Sequence, residues 1–148
     1  LDYLIDDASF IAKAPPKSTG REDFGEKYLK KIIKHYKDLS PFDITRTLIK
    51  FTSMTIKLNL EKFIFPKFKI DKLIVSGGGS SHPILIDDIK KDLDISVSNI
   101  MDYRIESKFK ESLLMAVLGY AKIKNIKSNM PAVTGASKNV VLGEICEF

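Results

Sequence analysis

A run of three glycines is the first feature of the sequence that could do chemistry. Gly77, Gly78 and Gly79 follow a short apolar run and precede a segment that opens with a proline. Glycine lets the backbone approach a ligand closely, and a turn that feeds a helix presents free N–H groups to an anion. The pattern therefore predicts a turn that contacts a phosphate or a ribosyl phosphate. The alternative is a tight strand-to-helix turn that binds nothing.

Two better-defined phosphate motifs are excluded. The dinucleotide fingerprint needs glycine at its first, third and sixth positions, and the sixth position counted from Gly77 is His82. The phosphate loop that ends in Gly-Lys-Ser or Gly-Lys-Thr is absent as well. His82 itself follows the glycine turn, where it either contacts a bound nucleotide or simply begins the next helix.

Glu111 is the second candidate. It lies near the start of a segment that reads as a helix and is apolar on almost every face, so we expect the helix to be buried on more than one side. A carboxylate in the first turn is favoured by the helix dipole, and a partly dry setting would strengthen its electrostatic effects. Glu111 could then orient a water molecule or accept hydrogen bonds from sugar hydroxyls. The alternative is a solvated residue paired with Lys108 or Lys110.

Two features near the C-terminal end of the sequence carry weaker signals. Thr134 and Gly135 lie in a stretch of small residues that either receives a ligand or merely turns the chain. Cys146 has no histidine within sequence reach and gives no sign of being a nucleophile. With one cysteine and two histidines, the sequence excludes a disulfide framework within the chain and predicts no metal site built on those residues.

The elements that must position these residues follow from periodicity and from proline and glycine signals. Apolar residues recur at helical spacing in four segments, and two short apolar runs indicate strands, the first of them buried and part of a parallel sheet. The predicted helices span about 21–36, 44–63, 83–93 and 107–123. The predicted strands lie at 72–76 and within 94–103. The stretch 140–145 is predicted to be a last strand or a helical turn.

Composition bounds the class of protein. The 148 residues suffice for one ordinary domain, and 44% hydrophobic with 29% charged residues is the balance of a globular protein rather than a disordered one. No apolar run is long enough to cross a bilayer. The net charge of +5 comes from lysines interleaved with acidic residues, and only three arginines are present, so nucleic-acid binding is not expected.

Four segments, taken together and in order, resemble the anhydro-N-acetylmuramic acid kinases, a family of the actin-like, sugar-kinase and Hsp70 ATPase superfamily. The segments correspond to a Pro-Lys-Ser-Thr-Gly-Arg-Glu signature, a nucleotide-contacting glycine segment, a helix with the active-site glutamate, and a closing motif. They are Pro15–Glu22 with Phe24; Val75–Gly79 with Pro83; Lys110–Ser112 with Ala116, Gly119 and Tyr120; and Asn129–Ala136 with Val141–Ile145.

The resemblance implies an α/β fold: part of an actin-like ATPase (ribonuclease H-like) lobe with a mixed sheet and long packing helices. Family members are much longer, and the matched segments belong to their C-terminal part. Residues 1–148 are thus expected to be the C-terminal portion, mostly the second, nucleotide-side lobe. The first lobe, with the glycine-rich phosphate loop and an aspartate base, is expected upstream of Leu1.

The resemblance also implies an activity, namely ATP-dependent hydrolysis and phosphorylation of 1,6-anhydro-N-acetylmuramic acid to N-acetylmuramic acid 6-phosphate. ATP and Mg²⁺ are the implied cofactors, the location is cytoplasmic, no nucleic acid or membrane takes part, and a homodimer is left open.

In this resemblance Gly77, Gly78, Gly79 and Ser80 contact the nucleotide. Glu111 is the catalytic and sugar-binding carboxylate, and Thr134 and Gly135 support the sugar, while no residue is assigned to metal binding. The segment from Lys17 to Arg21 braces the lobe. The alternative is a non-catalytic nucleotide-binding or interaction module, because the aspartate base lies outside residues 1–148 and because His82 and Lys108 depart from the common family pattern, as Arg104 also does.

Overall fold

The computed structural model describes residues 1–146, and within them the chain divides into two compact units. The first unit consists of Leu1–Ala14 and Ser18–Asn99, and the second of Pro15–Lys17 and the chain from Ile100 onward. The first unit contains α1 Asp2–Asp7, α2 Ser9–Ala12, α3 Arg21–Phe24, α4 Glu26–His35, α5 Pro41–Asn59, β1 Lys72–Val75, α6 Pro83–Asp92 and β2 Ser96–Asn99. The second contains α7 Lys110–Ile123 and α8 Pro131–Thr134.

Shorter helical turns extend several of these elements. A π-helical turn, Leu60–Ile64, prolongs α5, and 3-10 turns lie at Gly78–Ser81, Ile100–Tyr103 and Ser107–Phe109. The predicted long helix, the helix that begins at Pro83, the helix that leads to Ile123 and both strands are therefore confirmed. The order of elements is mixed α/β, as the sequence predicts.

The core of the first unit is helical. Its buried residues are Leu4 of α1, Ala8 between α1 and α2, Ile11 of α2, Ile32 of α4 and Phe51 of α5. Partly buried apolar side chains of the same helices, such as Tyr28 of α4 and Leu48 of α5, pack against these residues. Burying such a face supplies most of the stability of short helices.

The predicted continuous helix over 21–36 is wrong at one residue, Gly25. The backbone there is extended (φ −89°, ψ −151°), which ends α3 and begins α4. A Cβ at Gly25 would lie 2.1 Å from the carbonyl oxygen of Arg21, so no larger residue fits this bend. Periodicity does not detect the break because the apolar spacing continues across it.

The two strands pair in parallel, with Lys72 opposite Ser96 and Val75 opposite Asn99. The parallel pairing is confirmed, whereas the prediction of a buried strand is wrong. Side chains alternate across a strand, and one face of β1 is open: Lys72 is exposed and Ile74 is 48% exposed. Among the described residues the sheet has only these two strands, and no other element covers the face that carries Lys72 and Ile74.

Polar contacts join α5 to α6, the helix that connects β1 to β2. Arg46 binds the carboxylate of Asp88 through both nitrogens, at 2.6 and 2.8 Å. One turn further, Lys50 donates to Asp92 at 2.5 Å, and the hydroxyl of Ser53 also donates to Asp92. The side chains of Asp88 and Asp92 are only 6% and 13% exposed, so both carboxylates depend on these partners.

The Asp92 contacts predict acid sensitivity. Burial alone raises the pKa of Asp92, but the hydrogen bonds from Lys50 and Ser53 outweigh it and hold the pKa below the ordinary value of 3.8. A carboxylate with a lowered folded-state pKa stabilises the fold fully above its unfolded pKa, and this contribution is lost as the pH falls through the folded pKa. We expect Asp92→Asn to flatten the decline of unfolding free energy below about pH 4, measured by urea unfolding at several pH values. An unchanged pH profile would contradict this assignment.

The second unit leaves its main helix uncovered. Ala121 is the buried residue of α7, and apolar side chains around the rest of the helix are exposed, from 47% for Leu113 to 74% for Ile123. The expectation that α7 is buried on more than one face is therefore wrong for the described chain. Its sequence is apolar all round, but the described residues cover only one strip of it.

The stretch 140–145, predicted as a strand or a helical turn, has no regular secondary structure. Its first residue, Val140, donates its amide to the side chain of Asn129 at 2.7 Å, and the Asn129 amide donates to the carbonyl of nearby Lys138 at 2.9 Å. Side-chain bonds of this kind compete with strand pairing. Within residues 1–146, no helix has both the length and the hydropathy needed to cross a membrane.

Candidate functional site

The glycine turn is built on one backbone conformation that favours glycine. Gly77 follows β1 with φ 85° and ψ −176°, a region that L side chains rarely adopt. Its carbonyl then accepts from the amide of Ser80 at 3.1 Å and from the Ser80 hydroxyl at 2.8 Å. Ser80 is 7% exposed, so its hydroxyl bonds within the turn rather than to solvent. The triplet therefore begins with a residue whose identity the fold itself requires.

His82 begins α6. Its Nδ1 accepts from the amide of Leu85 at 3.3 Å, and Pro83 occupies the first helical position. Capping side chains of this kind satisfy one of the amides that a helix start leaves unpaired. The helix-start interpretation of His82 is thus confirmed.

The space beside the other two glycines, Gly78 and Gly79, is open. A Cβ at Gly78 would meet no atom within 4 Å, and one at Gly79 would only reach ordinary contact with Leu85, at 3.6 Å. The bonds of the turn use the amides of Ser80 and His82 as donors and leave the amides of Gly78 and Gly79 without an acceptor inside it. An open space beside two backbone donors is what a phosphate or ribose oxygen needs.

Asn99 is a residue of this site that sequence reasoning missed. It ends β2, and its Nδ2 donates to the carbonyl of Ser80 at 3.1 Å. The available signal was its position, since residues at the carboxyl ends of parallel strands surround ligands in open sheets. The sequence does not show that β2 ends at Asn99 rather than a residue later.

Glu111 lies in the first turn of α7, in the second unit. Its side chain is 73% exposed, and the nitrogen of Lys110 is 3.6 Å from its carboxylate. The expectation of a partly dry setting is wrong for the described chain, and the solvated residue paired with Lys110 is what the structure contains. An exposed, loosely paired carboxylate is nevertheless free to meet a ligand.

Thr134 is the last residue of α8, and Gly135 follows it. Gly135 adopts the left-handed conformation (φ 75°, ψ 10°), and its amide donates to the carbonyl of Pro131 at 2.8 Å. The Thr134 hydroxyl donates to the carbonyl of Met130 at 3.1 Å. Glycine is the usual residue at this position after a helix, so the turn explains Gly135 without a ligand. Both residues are exposed.

The predicted residues therefore fall into two groups. Gly77–Ser80 form one turn of the first unit, whereas Glu111, Thr134 and Gly135 belong to the second. Across residues 1–146, no group of three His, Cys, Asp or Glu side chains could hold a metal ion.

A model of the anhydro-N-acetylmuramic acid kinase family matches residues 1–147. The chain belongs to this family. Similar curated proteins bear the name anhydro-N-acetylmuramic acid kinase. The one from Francisella tularensis subsp. novicida is 41% identical over 148 residues, which cover 100% of this chain and 39% of that protein. The one from Clostridioides difficile is 39% identical over 92% of this chain and 36% of its own length.

A third relative with the same name, from Caldanaerobacter subterraneus subsp. tengcongensis, is 37% identical over 98% of this chain and 37% of its own length. The chain thus spans less than two fifths of the length of the kinases that it matches. The resemblance identified from the motifs is confirmed at the level of the family.

Proposed function

We propose that this chain is the C-terminal portion of an ATP-dependent kinase that hydrolyses and phosphorylates 1,6-anhydro-N-acetylmuramic acid. Membership of the family supports the reaction. The observation that carries the role of this chain is the glycine turn, in which a required backbone conformation at Gly77 precedes open space at Gly78. We further propose that most of the chain corresponds to the second, nucleotide-side lobe of an actin-like fold.

In this proposal the glycine turn holds the nucleotide. The open side of Gly78 admits the ligand to van der Waals distance, and the amides of Gly78 and Gly79 donate to its oxygens. Ser80 contributes by holding the turn, since its hydroxyl is bonded to the carbonyl of Gly77. Mg²⁺ bound with ATP would neutralise charge on the phosphates during transfer.

The sugar side of the reaction involves the second unit. Water loses a proton to a base and bonds to C1 of the sugar as the bond from C1 to O6 opens, and the freed O6 takes the γ-phosphoryl group of ATP while ADP leaves. Glu111 either orients that water molecule or binds the sugar, and its exposure leaves its carboxylate available for both roles. Thr134 and Gly135 would support the sugar from the end of α8. Both substrates act in the cytoplasm in this proposal, and neither nucleic acid nor a membrane takes part.

The nucleotide role is tested by Gly78→Ala, studied in the complete protein, meaning the full natural polypeptide that contains this sequence. Gly78 lies outside the left-handed region and an added Cβ meets nothing within 4 Å, so the protein itself tolerates the change. We expect the melting temperature to stay the same and the Kd for ATP with Mg²⁺ to rise about tenfold, because the methyl group occupies the space of the ligand. Isothermal titration calorimetry measures this affinity.

Gly119→Ala in α7 is the matched control, because it adds the same methyl group to equally open space in the second unit. We expect it to leave nucleotide affinity unchanged. Equal nucleotide affinity in Gly78→Ala and the unsubstituted protein would exclude the proposed role of the turn.

The second candidate is a module that binds nucleotide without catalysing the reaction. The exposure of Glu111 and its pairing with Lys110 favour it, since a catalytic carboxylate is usually held by its surroundings. Micromolar binding of ATP with no phosphorylation of the anhydro sugar by the complete protein would identify the module. The exposed apolar side chains of α7 support a further proposal, that the protein associates with itself as a homodimer.

A further inference from the structure

The contact between Asn99 and Ser80 joins the end of β2 to the glycine turn that follows β1. Asn99 is the last residue of β2 and lies opposite Val75, the last residue of β1. The glycine turn begins two residues after Val75, and its Ser80 carbonyl receives the Asn99 amide at 3.1 Å. The bond is partly buried, so water competes with it only weakly.

Ser80, the residue that Asn99 contacts, bonds to the peptide that carries a proposed ligand donor. Ser80 is held by Asn99, and Ser80 in turn binds the carbonyl of Gly77 through both its amide and its hydroxyl. The carbonyl of Gly77 and the N–H of Gly78 belong to one planar trans peptide, so they point in opposite directions. Fixing the carbonyl toward Ser80 therefore directs the N–H of Gly78 away from Ser80.

We propose that Asn99 is a positioning residue that holds the glycine turn ready for nucleotide. The proposal rests on the proposed nucleotide role of that turn and adds a residue to which neither the motifs nor the family match assigns a role. Three consecutive glycines have more conformational freedom than any other tripeptide, so a ligand that must order them binds more weakly. The bond from Asn99 removes part of that cost before the nucleotide arrives.

The test compares Asn99→Ala and Asn99→Asp in the complete protein. Alanine removes the donor, and aspartate keeps the size of the side chain but places an acceptor against the Ser80 carbonyl. We expect the Kd for ADP with Mg²⁺ to rise about five- to tenfold in both variants, roughly the loss of one hydrogen bond. The KM for ATP should rise similarly while the KM for the anhydro sugar stays the same.

Hydrogen exchange supplies a readout that needs no ligand. In nucleotide-free protein, we expect the amides of Ser80 and His82 to exchange faster in both variants, because the turn opens more often. Asn59→Asp is the matched control. It removes the same kind of bond, which here runs from the Asn59 side-chain amide to the Thr55 carbonyl. Both residues lie on α5, outside the glycine turn. It should leave both the Kd and these exchange rates unchanged.

The outcomes separate this proposal from the one it rests on. If Gly78→Ala weakens nucleotide binding but folded Asn99→Ala and Asn99→Asp bind ADP as tightly as the unsubstituted protein, the positioning role is wrong and the nucleotide turn stands. If none of the three variants changes the affinity, the nucleotide role of the turn is wrong as well. Equal loss of affinity in Asn59→Asp would also overturn the positioning role, since it would indicate a general loss of stability.

Discussion

Glu111→Gln is expected to lower the turnover of the complete protein by about 100-fold or more, because a positioned carboxylate contributes at least that factor to reactions of this kind. The neutral amide keeps the shape of the side chain but orients water, or accepts hydrogen bonds from the sugar, less well than a carboxylate does. Thermal unfolding should be unaffected, since the side chain is 73% exposed and its nearest cation is 3.6 Å away. The measurement is ATP-dependent phosphorylation of the anhydro sugar.

The matched control for this substitution is Glu106→Gln. Glu106 is another exposed carboxylate of the second unit, paired with Lys108 at 2.8 Å, and it has no proposed role in the reaction. Its turnover should equal that of the unsubstituted protein. Unchanged turnover in Glu111→Gln would rule out the role proposed for that residue, and comparing kcat with the KM for the sugar would separate water orientation from sugar binding.

Arg46→Met is expected to cause the largest loss of stability, about 2–3 kcal/mol of unfolding free energy. The substitution keeps an apolar stem but leaves the Asp88 carboxylate, 6% exposed, without its bidentate partner. Breaking such a buried pair from one side costs several kcal/mol because a charge stays buried and unpaired. The Arg46 side chain is 48% exposed, so in the variant water reaches the Asp88 carboxylate and partly solvates it. The expected cost is therefore smaller than that of breaking a fully buried pair. Urea unfolding of the complete protein measures the difference.

Two further variants test the reason for that loss. Lys91→Met breaks an exposed ion pair with Asp87 and should cost less than about 0.5 kcal/mol, as surface pairs do. Combining Arg46→Met with Asp88→Leu removes both charges and should recover most of the stability. Equal effects of Arg46→Met and Lys91→Met would contradict the buried-charge explanation.

The glycine turn and its surroundings were largely predictable because their signals are local. A β-branched run, glycines and then proline predict strand, turn and helix in that order, and the structure has β1, the turn and α6 at those residues. The break at Gly25 was not predictable, since the apolar spacing that indicates a helix continues through it. It follows from a close approach to the Arg21 carbonyl, which is a property of the folded backbone.

The site residues differ in the same way. The helix-start role of His82 follows from its place before Pro83, whereas the contact of Asn99 with Ser80 joins positions that are 19 residues apart in the chain. Nothing in the sequence near either residue specifies that Asn99 meets Ser80. The solvent exposure of Glu111 was also missed, because an apolar helix indicates burial only when enough neighbouring chain covers it.

By itself, the sequence determined the family, the order of helices and strands and the position of the glycine turn. Motifs and periodicity depend only on residues that are close together in the chain. Only the tertiary structure decided which side chains hold that turn, which carboxylates are buried against α5, and which face of α7 is covered. Those outcomes depend on packing between segments distant in the chain, whose distances and shielding from water no local pattern encodes.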